Sequence, residues 1–170
     1  IPELNLTKAT SLKNIKYAFP YRGSSYVLFQ PNERSSSTSA PSSSSDYDLS
    51  DSDEALPSFT IVSPKGETKL LDYPKDPFID SNENVIDHVV ISSNSTIILT
   101  ENGHLLQLVD DEFVYIGRYP HSYRIFALNV TELLIARHWL DHIVIDLLYK
   151  NVACQQESYS SILNFTIIPN

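Results

Sequence analysis

An all-β fold of antiparallel β-meanders is the architecture this sequence predicts, and three observations point to it. Segments 89–108 and 125–147 share one order: strand, Asn-x-Thr bend, strand, tight turn, strand. They are offset by roughly 35 residues, and a fixed period of about 20–50 is the mark of propellers and solenoids. Glu101-Asn102-Gly103 separates two apolar runs, and Asn-Gly is the strongest short hairpin signal because both residues tolerate positive φ. Short β-branched and aromatic runs follow one another with turn residues between them, as in a barrel, sandwich or propeller.

Along the chain, Ser25-Tyr26-Val27-Leu28-Phe29-Gln30 reads as a strand. Residues 31–56 are dominated by Ser and then by Asp, with almost nothing apolar to bury. Ordering them would cost backbone entropy without return, so they are expected to be a disordered insertion. Such an insertion is tolerated because loop-closure entropy grows only with the logarithm of length. Strands are expected again at 58–62 and 67–71, joined by Ser63-Pro64-Lys65-Gly66. The insertion therefore swells one turn of a single meander. Residues 72–87, with Pro74, Asp76, Pro77, Asp80 and Asn82, are expected to be an ordered connection.

From 88 onward the strand signals are dense. Strands are expected at 96–100 and 104–109, then at 113–117 after the turn Asp110-Asp111-Glu112, then at 123–128 after Pro120-His121-Ser122. Segment 131–151 admits two readings. As a helix it would align Leu133, Ala136, Leu140, Ile143, Val144 and Leu147, but Leu134, Ile135, Ile145, Leu148 and Tyr149 would crowd the opposite face. As two strands turning at Leu140-Asp141 it matches the 89–108 pattern and suits its β-branched residues, and this reading is preferred.

Composition narrows the function classes. The hydrophobic fraction of 42% is that of a folded protein, and 170 residues suffice for one β-rich domain or part of a larger one. Net charge is −9, with five carboxylates concentrated in 46–54. No Lys/Arg cluster exists to displace counterions from a phosphate backbone, which argues against nucleic acid as a partner. No apolar run reaches 18 residues, so no transmembrane helix is expected. A single cysteine, Cys154, rules out an intrachain disulfide or a cysteine-based zinc cage and reads as a small packing residue. The chain begins Ile1-Pro2 and contains no methionine, so it is expected to be an internal piece of a longer polypeptide.

Motifs with chemical potential are few. His138-Trp139-Leu140-Asp141-His142 carries ligand-type residues, and on a helix His138 and His142 would share a face. No glutamate follows the first histidine and no third ligand is apparent, so a metal enzyme or hydrolase built on His138, Asp141 and His142 is the third-ranked reading. Four glycines leave no room for a P-loop, a dinucleotide turn or a Gly-x-Ser-x-Gly elbow. No catalytic, cofactor or metal site is therefore assigned, and a non-enzymatic protein is expected. Sequons occur at Asn5, Asn94, Asn129 and Asn164, which would be glycan acceptors in a secreted or luminal protein. Ser43, Ser45 and Ser50 each precede an Asp by three residues, a context for acid-directed phosphorylation that would add charge for docking on a basic partner.

The run from Asn94 through Thr96-Ile97-Ile98-Leu99-Thr100-Glu101-Asn102-Gly103-His104 to Leu108 resembles a blade core of the β-propellers of the regulator-of-chromosome-condensation type. In that family a strand ending in Thr-Glu-Asp/Asn-Gly turns into a second strand. The family's Gly pairs and Trp-Gly ending are absent here. WD-repeat propellers are similar through Gly103-His104, although no Trp-Asp pair occurs. The resemblance implies architecture alone: a portion of a β-propeller, without exchange-factor activity. The expectation is an interaction scaffold in a eukaryotic multiprotein complex, cytoplasmic or nuclear, whose partners are other proteins or the rest of the same propeller. The alternative is a secreted or luminal glycosylated β-domain acting as a receptor or ligand-binding module.

Overall fold

The computed structural model describes residues 14–31, 57–74, 83–150 and 159–167. Residues 32–56 of the expected insertion, Asn5, Cys154 and the three candidate phosphoserines lie outside them. The described chain is all β, with twelve strands in three four-stranded antiparallel sheets. The first sheet holds β1 (Tyr17–Tyr21), β2 (Ser25–Gln30), β3 (Ser58–Val62) and β4 (Thr68–Leu71). The second holds β5 (Val85–Ser92), β6 (Ser95–Thr100), β7 (His104–Val109) and β8 (Glu112–Arg118). The third holds β9 (Ser122–Ala127), β10 (Glu132–Trp139), β11 (His142–Lys150) and β12 (Tyr159–Ile167). Within each sheet every strand pairs with its neighbour in sequence, so each is a simple meander.

The helical reading of 131–151 is overturned. Glu132↔Tyr149 through Trp139↔His142 form one antiparallel ladder, and Leu140-Asp141 is the two-residue turn. Apolar residues on both sides of this segment make a poor amphipathic helix, whereas a sheet gives each side its own face. Of the connection expected at 72–87, residues 75–82 lie outside the described residues, and it ends earlier than expected because β5 begins at Val85. Strands β1 and β12 were not anticipated. The hairpin at 101–103 also differs in detail: Gly103 has φ +85, while Asn102 stays out of the left-handed region. Gly103 N donates to Thr100 O at 2.9 Å, so the loop is a type I turn closed by a left-handed glycine rather than a two-residue Asn-Gly turn. Asp110 (φ 51) and Asp111 (φ 60) do form a two-residue loop of the primed kind between Val109 and Glu112.

The three sheets stack, and the second lies between the others. Along β6 and β7 successive residues point to opposite sides, and every residue but Val109 is buried. Ile98, Leu106 and Leu108 join Phe19, Val27, Phe29, Phe59 and Leu71 of the first sheet. Ile97, Leu99 and Leu105 join Ile125, Leu133, Ile135, Leu148 and Tyr159 around the third sheet. Burial on both faces explains why Thr-Ile-Ile-Leu-Thr and His-Leu-Leu-Gln-Leu show no polar alternation. The first strands approach one another in succession, β1 against β5 and β5 against β9. Tyr17 Oη lies 2.7 Å from His88 Nδ1 across the first junction, and Asp87 Oδ2 accepts from Ile125 N at 2.9 Å across the second.

Candidate interaction surface

The register of the third sheet sorts its side chains onto two faces. Residues paired across strands share a face, so Phe126, Leu134, Leu147 and Leu163 form one row. Ile145 with Phe165, and Ile143 with Ile167, continue it. Leu133, Ile135 and Leu148 occupy the opposite face, the one packed on the second sheet. Among the described residues the outward row has no such cover: Phe126 is 45% exposed, Leu163 48%, Phe165 49% and Ile167 53%. Single exposed apolar residues are normal on a protein surface, but aligned ones such as these are not.

One end of the same sheet adds a second apolar feature. The β10–β11 turn presents Trp139 and Leu140, the latter 86% exposed. His121, His138, Trp139 and Leu140 line a cleft of about 230 Å³ there. The His138 ring stacks on Tyr123 at a centroid distance of 4.3 Å, and His121 meets Trp139 edge-on at 5.9 Å. Both His121 (φ 65) and Leu140 (φ 54) sit in the left-handed region, which is strained for a branched apolar side chain. Strain of this kind clusters at binding sites.

The other sequence-derived candidates are dispersed. Trp139 pairs with His142 and His138 with Ile143, so the two histidines point to opposite faces. Asp141 lies exposed in the turn between them. No group of three His, Cys, Asp or Glu side chains capable of holding a metal exists among the described residues. Asn94 and Asn129 occupy exposed bends, β5–β6 and β9–β10 respectively. Asn94 Oδ1 accepts from Ser92 Oγ at 3.0 Å, and Asn129 Oδ1 accepts from Thr131 N and Oγ1 at 2.8 Å each. Asn164 lies in β12 with its Nδ2 committed to Asp146 Oδ1 at 2.7 Å.

Two polar clusters escaped the sequence reading, and both are joints of the scaffold. Glu83, fully buried, accepts from Asn102 N at 3.0 Å and from the Thr100 hydroxyl, and its Oε2 lies 2.8 Å from His104 Nδ1. It thereby locks the β6–β7 hairpin to the segment entering β5. Asp111, at the β7–β8 turn, reaches the first sheet through Tyr21 Oη at 3.0 Å, Lys69 Nζ at 2.8 Å and Arg22 at 3.2 Å. Burial pushes the Asp111 carboxyl up, but hydrogen bonds from Lys69 and Tyr21 and the charges of Arg22 and Lys69 outweigh it, leaving its pKa below 3.8. Burial lowers the His88 pKa, against a smaller opposing pull from the Asp87 charge. No spacing rule reveals Glu83, since its partners lie 17 to 21 residues away. The outward band was legible only in part, because β12 supplies Leu163, Phe165 and Ile167.

Neither a protein-family model nor a curated protein matches this chain. No helix among the described residues is long and apolar enough to cross a membrane.

Proposed function

We propose that this chain is a non-enzymatic protein–protein interaction scaffold, a portion of a β-propeller in a subunit of a eukaryotic multiprotein complex, cytoplasmic or nuclear. The observation that carries the reading is the contrast between two sheet faces. In the second sheet β6 and β7 are buried on both faces against neighbours, whereas on the outward row of the third sheet Phe126 and Leu163 are exposed and Leu134 and Leu147 between them are only half-buried. Three meanders with adjacent first strands are the geometry of successive propeller blades, and a further sheet on the outward row would repeat the packing already made on the inward one. The occupant is the remainder of the propeller or a partner protein, and the strained Trp139–Leu140 tip adds an aromatic anchor of the type enriched at interface centres.

The test is affinity purification of the full-length protein with mass spectrometry of what accompanies it, for the wild type and for Phe126→Glu/Leu147→Glu. A defined partner set lost in the folded double variant supports the scaffold. Unchanged partners, or catalytic turnover by the purified protein, overturn it. The second reading, a glycosylated luminal domain, draws on the exposed bends of Asn94 and Asn129. It predicts a glycosidase-sensitive mobility that Asn94→Gln and Asn129→Gln each reduce, and native protein with unshifted mobility refutes it.

A further inference from the structure

The outer edges of the three sheets are not alike. Strand β4 is four residues long and carries exposed Lys69, and β8 has Glu112 and Arg118 at its ends and a register shift opposite Leu105/Leu106. Short length, charge and irregularity are the usual protections against edge-to-edge pairing. Strand β12 has none of the three over its final run. It is nine residues long, has no charged residue and no proline, and eight of its residues are exposed. Its single irregularity lies at Ile162, where the pairing partner shifts between Leu147 and Leu148, so Leu163 to Ile167 run regularly. Among the described residues this edge pairs on one side only, with β11.

We propose that β12 is a self-association edge, pairing antiparallel with β12 of a second copy about a two-fold axis at Phe165. The residue pattern is self-complementary in that register. Phe165 meets Phe165, Leu163 meets Ile167, and Asn164 meets Thr166, so apolar residues pair on the outward face and polar ones on the other. Aromatic and aliphatic cross-strand pairs stabilise such a ladder, and like charges directly opposite would oppose it. With no charged side chain in β12, antiparallel self-pairing brings no like charges together. The contact is isologous, the form taken by most two-fold dimers. It rests on the β12 register alone and stands or falls independently of the scaffold reading.

Sedimentation equilibrium of the full chain tests it. The wild type is expected to show a concentration-dependent mass between one and two copies. Phe165→Lys, which sets two lysines opposite each other, is expected to raise the dimer dissociation constant at least about tenfold. Phe126→Lys, on the same face but three strands away, should leave it unchanged. In a Cys154→Ser background, Phe165→Cys should form a disulfide-linked dimer on mild oxidation, since directly opposed residues of antiparallel strands have Cα atoms about 4.5–5.5 Å apart, within the span of a disulfide. Phe126→Cys should not. A wild type that stays monomeric at every concentration overturns the proposal. A dimer broken by Phe126→Lys but not by Phe165→Lys overturns it in favour of face packing.

Discussion

Glu83 and Asp111 illustrate how single carboxylates hold the sheets in place. Replacing Glu83 with Ala strands the buried Thr100 hydroxyl and His104 ring and takes the acceptor from the Asn102 amide. Removing one member of a buried polar cluster costs about 3–5 kcal/mol, so urea denaturation of Glu83→Ala should show a loss of that order. Glu83→Gln, which keeps an acceptor oxygen, should lose less. Asp111 acts through its charge. Its folded pKa lies below the ordinary 3.8, so the stability it adds is complete above that value and is lost as pH falls through the lowered folded value. Asp111→Asn keeps a residue tolerant of the left-handed backbone and deletes the charge. The melting temperature of the variant should lie below that of the wild type at neutral pH, and the gap should close in acid below pH 3.8. A gap independent of pH would mean the carboxylate acts by packing.

At the scale of elements, the hairpins carry the strongest sequence signals and the sharpest constraints. Gly103, at φ +85, has the Tyr119 carbonyl where a Cβ would lie, and Tyr119 N donates to Gly103 O at 2.7 Å. Gly103→Ala therefore meets both a backbone clash and a left-handed conformation. It should cost more than about 2 kcal/mol in chemical denaturation. The β10–β11 turn invites the opposite change. Leu140 holds φ 54 while fully on display, and left-handed backbone costs an L-residue about 1–2 kcal/mol. Leu140→Gly should raise stability by about 0.5–1 kcal/mol after the glycine's own entropy cost. The strands between these turns were legible where turn chemistry bounded them, as at Ser58–Val62 and His104–Val109. Strand β1 was legible in principle, since Tyr17, Phe19 and Tyr21 alternate with Ala18 and Pro20 before the Arg22-Gly23 turn.

For the whole molecule, the decisive feature is that the second sheet serves two cores. Ile97 and Ile98 are adjacent and both fully buried, yet they belong to different clusters. In a one-sided sheet, truncating one of two neighbours is nearly free. Here Ile97→Ala and Ile98→Ala should each cost about 2–5 kcal/mol, measured by thermal or urea unfolding, while Phe126→Ala on the outward row should cost well under that. Equal sensitivity at 97 and 98 would place the second sheet firmly inside a stack. Loss at only one position would refute that packing.

The strands at 25–30, 58–71 and 95–150 were determined locally, because side-chain alternation, β-branching and residues able to take positive φ act over a few positions. Short connections set the order of strands within the second sheet and from β9 to β11 in the third, whereas β2 and β3 pair across the whole of residues 31–57. Which face each sheet buries was decided only in three dimensions. Leu134 and Leu133 are equally apolar, but only Leu133 finds the second sheet across from it. The burial of Glu83, the reach of Asp111 to Tyr21 ninety residues away, and the addition of β12 to the third sheet likewise depend on contacts between distant segments. Composition and spacing carry no record of such contacts, because the energy that selects them arises only when separate sheets meet.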